Sequence, residues 1–100
     1  MQRYSPLVIL SFRGKETERV WHGVFSRKLP QDIQKVALRK LRMLNNAKRL
    51  DDLKVPPNNH LEALKRQRAG QHSIRINDQW RICFVWTNGG PAHVEIVDYH

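Results

Sequence analysis

Residues 71–86 read "QHSIRINDQWRICFVW", and the way they alternate decides the architecture. In an extended chain successive side chains point to opposite sides. Ile74 and Ile76 therefore share one side, with Ser73, Arg75 and Asn77 on the other. In the second half Trp80, Ile82, Phe84 and Trp86 fall on one face, and Arg81, Cys83 and Val85 on the opposite one. Two such segments joined by a short polar stretch predict antiparallel strands with one face on a core. The next residues, "TNGGP" (87–91), suit a tight hairpin turn that needs positive φ. "AHVEIVDYH" (92–100) predicts the closing strand.

Working back toward the N-terminus, "HLEALK" (60–65) is short and ambiguous, and "KVPPNNH" (54–60) cannot continue a helix. Before it, "PQDIQKVALRKLRMLNNAKRL" (30–50) gives the clearest helix. Pro30 suits its start, Asp32 its first turn and Asn45-Asn46 its stop. Ile33, Val36, Ala37, Leu41 and Leu44 line one face, and Lys35, Arg39 and Arg42 the other. "KETERVWHGVFSRKL" (15–29) predicts a first helix with Val20, Trp21, Val24 and Phe25 as its stripe, weakened by Gly23. "LVILSF" (7–12) predicts a strand. This order of elements, without repeats or linkers, implies one α+β domain over residues 1–100, both helices packed on one face of a small antiparallel sheet.

Charge narrows the partners. The chain has 18 Lys and Arg against 9 Asp and Glu, a net charge of +9. That excess favours a polyanionic or acidic partner. The single Cys83 precludes an internal disulfide, and the apolar run at 7–10 is too short for a signal peptide or a membrane span. A cytoplasmic protein that engages no membrane is expected. His22, His60, His72, His93 and His100 lack metal-ligand spacing, so no metal or other cofactor is expected. Cys83, between Ile82 and Phe84, reads as core and not as a nucleophile.

Arg81 is the most informative residue. A lone charge inside an apolar strand must pair with a carboxylate or face a groove that holds an anion. Arg75 lies on the preceding strand, and Lys65, Arg66 and Arg68 on the loop before that, so cations from three segments converge. A purely structural alternative pairs Arg81 with Asp98 or Glu95.

"RAGQHSIRINDQWRICFVW" (68–86), "PPNNHLEALK" (56–65) and the closing "VDYH" (97–100) resemble the HigB-type (host inhibition of growth) toxins of the RelE/ParE superfamily. The likeness runs from "LSF" (10–12) to His100, which leaves 1–6 as a candidate N-terminal extension. It implies a microbial RNase (RelE-like) fold and metal-independent cleavage of mRNA on the ribosome. It also implies neutralisation by a helix-turn-helix (HigA-like) antitoxin. Position by position, Arg81 matches the family's phosphate-binding arginine, and Lys65 and Arg68 its basic loop. Asp98, Tyr99 and His100 match the tail held near the reacting nucleotide. Glu62 stands where many relatives carry a histidine implicated in catalysis, with His60 as a partial substitute, and Trp is common where His72 sits. A lower rate than that of the most potent relatives is therefore expected.

Attack of a 2′-hydroxyl on the adjacent phosphorus needs a base, an acid and cations for the developing charge. Within the resemblance, His100 is the expected acid, its imidazolium favoured by Asp98 and a terminal carboxylate. Glu62 is the expected base, Tyr99 positions or stacks, and Arg81, Lys65, Arg66, Arg68, Arg75 and His60 contact RNA. Two other classes stay open: a ParE-like toxin acting on DNA gyrase without nucleolysis, and a basic RNA-binding module. The second lacks the exposed aromatic platforms such modules use.

Overall fold

The computed structural model describes residues 8–99. Helix α1 spans Lys15–Trp21 and α2 Gln31–Asn46. Strands β1 (Glu62–Ala63), β2 (His72–Arg75), β3 (Trp80–Thr87) and β4 (Gly90–Asp98) form one antiparallel sheet in the order β1-β2-β3-β4. Short 3-10 turns at Leu50–Lys54, Pro57–Asn59 and Arg66–Arg68 fill the connections. The expected α+β architecture stands, with both helices ahead of the antiparallel strands.

The alternation at 71–86 produces the expected two faces. Ile74, Ile82 and Phe84 are fully buried, together with Val94 of β4, and they pack with Val20, Ile33, Ala37, Leu41 and Leu44 of the helices. Each fully buried Val, Leu, Ile or Phe here contributes about 1.5–3 kcal/mol of transfer free energy. Trp21, Trp80 and Trp86 are partly buried against the same cluster, so the three tryptophans are core elements and not stacking platforms. Asn77 shapes the β2–β3 connection: its side-chain oxygen accepts the N–H groups of Gln79 (2.9 Å) and Trp80 (2.7 Å). That turn sets the register that places Ser73 opposite Cys83 and Arg75 opposite Arg81.

Two expected elements change. The strand expected at 7–12 is an extended segment that reaches β4 through one isolated parallel bridge, Phe12 to Val94, and through the Leu10 N–H, which donates to the Pro91 carbonyl at 2.8 Å. The cause lies in β4, where His93 takes a left-handed conformation (φ 53°) and adds a residue between the Val85–Ala92 and Cys83–Glu95 pairs. The ladder breaks there, and the His93 N–H turns to the Ser11 side-chain oxygen at 2.9 Å. Near the hairpin tip the segment lies so close to Gly90 that a Cβ would come within 2.3 Å of the Val8 carbonyl oxygen. Leu7 and the candidate extension 1–6 lie outside the described residues.

The first helix is also shorter than its apolar stripe suggests. Gly23 adopts φ 77°, its N–H bonds the Val20 carbonyl (3.0 Å), and the Val24 N–H bonds the Arg19 carbonyl (2.8 Å). This is a Schellman stop, and it ends the helix at Trp21. Val24 and Phe25 consequently lie beyond the helix and are exposed.

Lys40 is the least expected core residue. It is 3% exposed on α2, and its ammonium donates to the Asn59 side-chain oxygen. Asn59 is itself buried and donates to the carbonyls of Leu53 (3.1 Å) and Val55 (3.3 Å), which ties the loop before β1 to α2. Burial, then the charges of Arg39 and Arg75, push the Lys40 pKa below 10.5. In the window between the lowered folded value and 10.5 the unfolded chain binds more protons than the native one, so this group makes stability rise with pH. Urea unfolding from pH 7 upward should show the wild type gaining on Lys40→Met. Parallel curves for the two proteins would refute the assignment.

Candidate functional site

The face of the sheet away from the helices carries the polar constellation. Arg81 projects from β3 on this side, its side chain only 13% exposed and held on three sides. Its Nε donates to the buried Ser73 hydroxyl at 2.7 Å, and a terminal nitrogen donates to the His60 carbonyl at 2.5 Å. Glu62 Oε1 lies 3.9 Å from Nε, and the Glu62 side chain is half exposed. Ser73 reaches Arg81 diagonally across the β2–β3 ladder, where long side chains meet naturally.

The carboxylate beside Arg81 is thus Glu62, and not Asp98 or Glu95 as in the structural alternative. Glu95 lies 3.6 Å from Arg68, and Asp98 accepts from the Gln79 side chain at 3.1 Å. Asp98 is the register partner of Trp80, one residue beyond the Arg81–Val97 pair, so it belongs to the opposite side of the sheet. His60 also differs from expectation. It closes a 3-10 turn in a left-handed conformation (φ 46°) and is not part of an extended segment; its carbonyl, not its imidazole, meets Arg81. Arg75 shares the face with Arg81, but its guanidinium is engaged by Asp78 of the turn.

Beside this seat lies an open hollow lined by Lys65, Arg66, Gln67, Arg68 and Tyr99. Arg68 is steadied there by Gln71 Oε1 at 3.0 Å. Tyr99 continues from β4, its N–H donating to the Gln79 carbonyl at 2.7 Å, and its ring is exposed on the basic loop. Cys83 lies at the junction of the two clusters, fully buried, with Arg68, Glu95, Arg81 and Glu62 all acting on its thiol. Burial is the main reason the thiol is pushed up from its ordinary value, with the two carboxylates adding to it. A thiol so raised is a poor nucleophile, in keeping with a core role.

The structure therefore brings Arg81 and Glu62 into one cluster and Lys65, Arg66, Arg68 and Tyr99 into an adjoining one. It engages Arg75 with Asp78 and places Asp98 on the other side of the sheet, and His100 lies outside the described residues. Sequence reasoning gave Ser73 an outward place without a role and left Gln71 unmentioned. The signal for Ser73 was the shared side of neighbouring strands, legible only once the turn had set the register.

Comparison with known proteins bears on this arrangement. Residues 10–100 match the HigB-like toxins, described as the RelE-like toxin of type II toxin-antitoxin system HigB. The chain is 36% identical over 81 residues to Toxin HigB-1 of Vibrio cholerae serotype O1 (strain ATCC 39315 / El Tor Inaba N16961), which covers 80% of this chain and 85% of that protein. It is 37% identical over 67 residues to an uncharacterized protein of Haemophilus influenzae (strain ATCC 51907 / DSM 11121 / KW20 / Rd), covering 67% and 66% of the two. With a family match over nearly its whole length and a toxin relative at this identity, the chain belongs to the HigB-type toxins, the RelE-like toxins of type II toxin–antitoxin systems.

Proposed function

We propose that this toxin is a ribosome-dependent endoribonuclease that cuts mRNA without a metal ion and is neutralised by a helix-turn-helix antitoxin. The observation that supports this most is the Arg81 seat. A guanidinium held by a hydroxyl, a carbonyl and a nearby carboxylate, beside a basic hollow with an exposed tyrosine, suits a phosphodiester with a base next to it.

The chemistry follows from the groups present. The 2′-oxygen attacks phosphorus as Glu62 takes its proton; the bond to the 5′-oxygen breaks, and His100 supplies the proton that oxygen needs. The products are a 2′,3′-cyclic phosphate and a 5′-hydroxyl end. Arg81 carries the charge that builds on the phosphoryl oxygens, which is where a prearranged donor lowers the barrier most. Lys65, Arg66 and Arg68 hold the flanking backbone, and Tyr99 stacks on a base. Glu62 lies close enough to Arg81 to serve a nucleotide bound there.

Inducing the toxin alone and mapping RNA 5′-hydroxyl ends should reveal cuts with codon periodicity, confined to translated regions. Growth arrest with intact mRNA would overturn the reading in favour of a gyrase-directed toxin on the same scaffold. Cuts scattered equally over untranslated RNA would remove the ribosome from it.

A further inference from the structure

Far along the chain from the polar face, the loop after α1 displays apolar side chains that the fold does not use. Phe25 is 54% exposed and Val24 48% exposed. A Schellman stop normally brings the residue after its glycine onto an apolar partner one turn back in the helix. Here the residues at that place are Glu18 and Arg19, so Val24 has no such partner inside α1. Val24 and Phe25 instead edge a hollow of about 180 Å³ floored by Val20 and Leu38, and Phe25 also borders a second, broader one along the start of α2.

This display is fixed in place. Gln34 of α2 reads the loop with three hydrogen bonds. Its oxygen accepts the Ser26 N–H (3.0 Å), and its amide donates to the carbonyls of Ser26 (2.7 Å) and Leu29 (3.0 Å). Ser26 is fully buried and its hydroxyl donates to Glu16 at 2.5 Å. A backbone pinned on both sides of Phe25 directs the side chain outward with little backbone entropy left to lose on docking, which favours an interface anchor.

Charge identifies the occupant. Lys35 rims the first hollow, and Arg19, Arg27 and Lys28 surround the other side of Phe25. Glu16, which accepts from Ser26 and keeps its charge, and Asp32 are the acids at this rim, against the four cations Arg19, Arg27, Lys28 and Lys35. We infer that this loop is the docking site for an acidic amphipathic segment of the antitoxin, an apolar side chain entering beside Phe25 with flanking carboxylates on Lys35 and Arg27. A second copy of the chain is disfavoured, because two molecules of net charge +9 repel. The inference rests on neutralisation by an antitoxin that binds this chain.

The probe is the purified helix-turn-helix antitoxin that the proposed function calls for. Its affinity for the wild type should fall at least about thirtyfold in Phe25→Ala. Lys35→Glu should slow association and flatten its salt dependence. Neither change should alter growth arrest by the toxin alone, and exposure of both side chains keeps the variants folded. Wild-type affinity in both variants overturns the docking site and leaves neutralisation standing. No binding by the wild type overturns the antitoxin reading itself, and the site with it. A shift from dimer to monomer in Phe25→Ala would assign the surface to a second copy and overturn the inference.

Discussion

Replacing Arg81 by alanine should slow cleavage of ribosome-bound mRNA by about a hundredfold or more while the protein stays folded. Losing one prearranged donor to a developing oxyanion costs roughly 2.7–4 kcal/mol in the transition state, and each 1.36 kcal/mol is about a factor of ten in rate. The side chain is less open than a groove residue would be, so some stability goes with it. Ser73, fully buried, loses its donor partner, at a cost of about 1–3 kcal/mol. The core lies on the other side of the sheet and is untouched by the change. Arg81→Lys separates charge from geometry, because an ammonium cannot reproduce the planar fork that spans Ser73 and the His60 carbonyl. It should remain well below wild type. Ser73→Ala keeps the guanidinium but loosens it, and should cost about tenfold, the weight of one charge-assisted hydrogen bond. Circular dichroism and single-turnover rates on a programmed ribosome make the test. A folded Arg81→Ala protein with wild-type rate would remove this residue from the chemistry, and an unfolded one would make it a structural ion-pair residue.

A second large loss should follow from removing His100. If it donates the proton to the departing 5′-oxygen, its deletion should lower cleavage by roughly a hundred- to ten-thousandfold, the usual weight of general acid catalysis. His100→Gln should be nearly as damaging, because an amide can hydrogen-bond but cannot give up a proton under these conditions. Melting temperature and antitoxin affinity should barely move in either variant. Comparing the Gln variant with the deletion distinguishes chemistry from bulk, since a tail that merely fills space tolerates Gln and suffers from truncation. Equal single-turnover rates in the wild type and both variants would rule out a catalytic tail.

The sequence carried the sheet and the longer helix because both depend on local periodicity. Alternation at 71–86 settled which side of β3 faces the helices, and the apolar spacing with Pro30 and Asn46 at its borders bounded α2. Features that depend on distant partners stayed hidden. The expected stripe over Val20–Phe25 ignored that a glycine at positive φ stops a helix whatever apolar residues follow. Buried Lys40 could not be anticipated from its type, since Asn59, which receives its ammonium, lies 19 residues away. For the site, the convergence of Arg81 with the basic loop was legible from which side chains share a face. Its carboxylate neighbour was not, because choosing among Glu62, Glu95 and Asp98 requires the register of a two-residue strand.

The arrangement around Cys83 has a consequence for how an RNA would be admitted to the proposed site. Arg81 faces Glu62 and Arg68 faces Glu95, so close to the sheet the opposite charges largely cancel. The toxin's surplus of +9 is therefore displayed elsewhere, on exposed groups such as Arg39 and Arg42 of α2 and Lys65 and Arg66 at the rim. In the proposed reading, capture and cutting would then fall to different charges. Ionic strength acts on the first, where the attraction reaches across water and fades over a Debye length of about 8 Å at physiological salt. On the proposed mechanism the second would require exchange: a phosphate arriving at Arg81 would take the place of Glu62 beside the guanidinium and leave that carboxylate to accept the 2′-proton. Free anions that merely drift past would lack the anchoring to do so, whereas a strand held by its neighbours in the proposed ribosomal complex would have it, and the acids beside Arg81 and Arg68 would then guard the idle state.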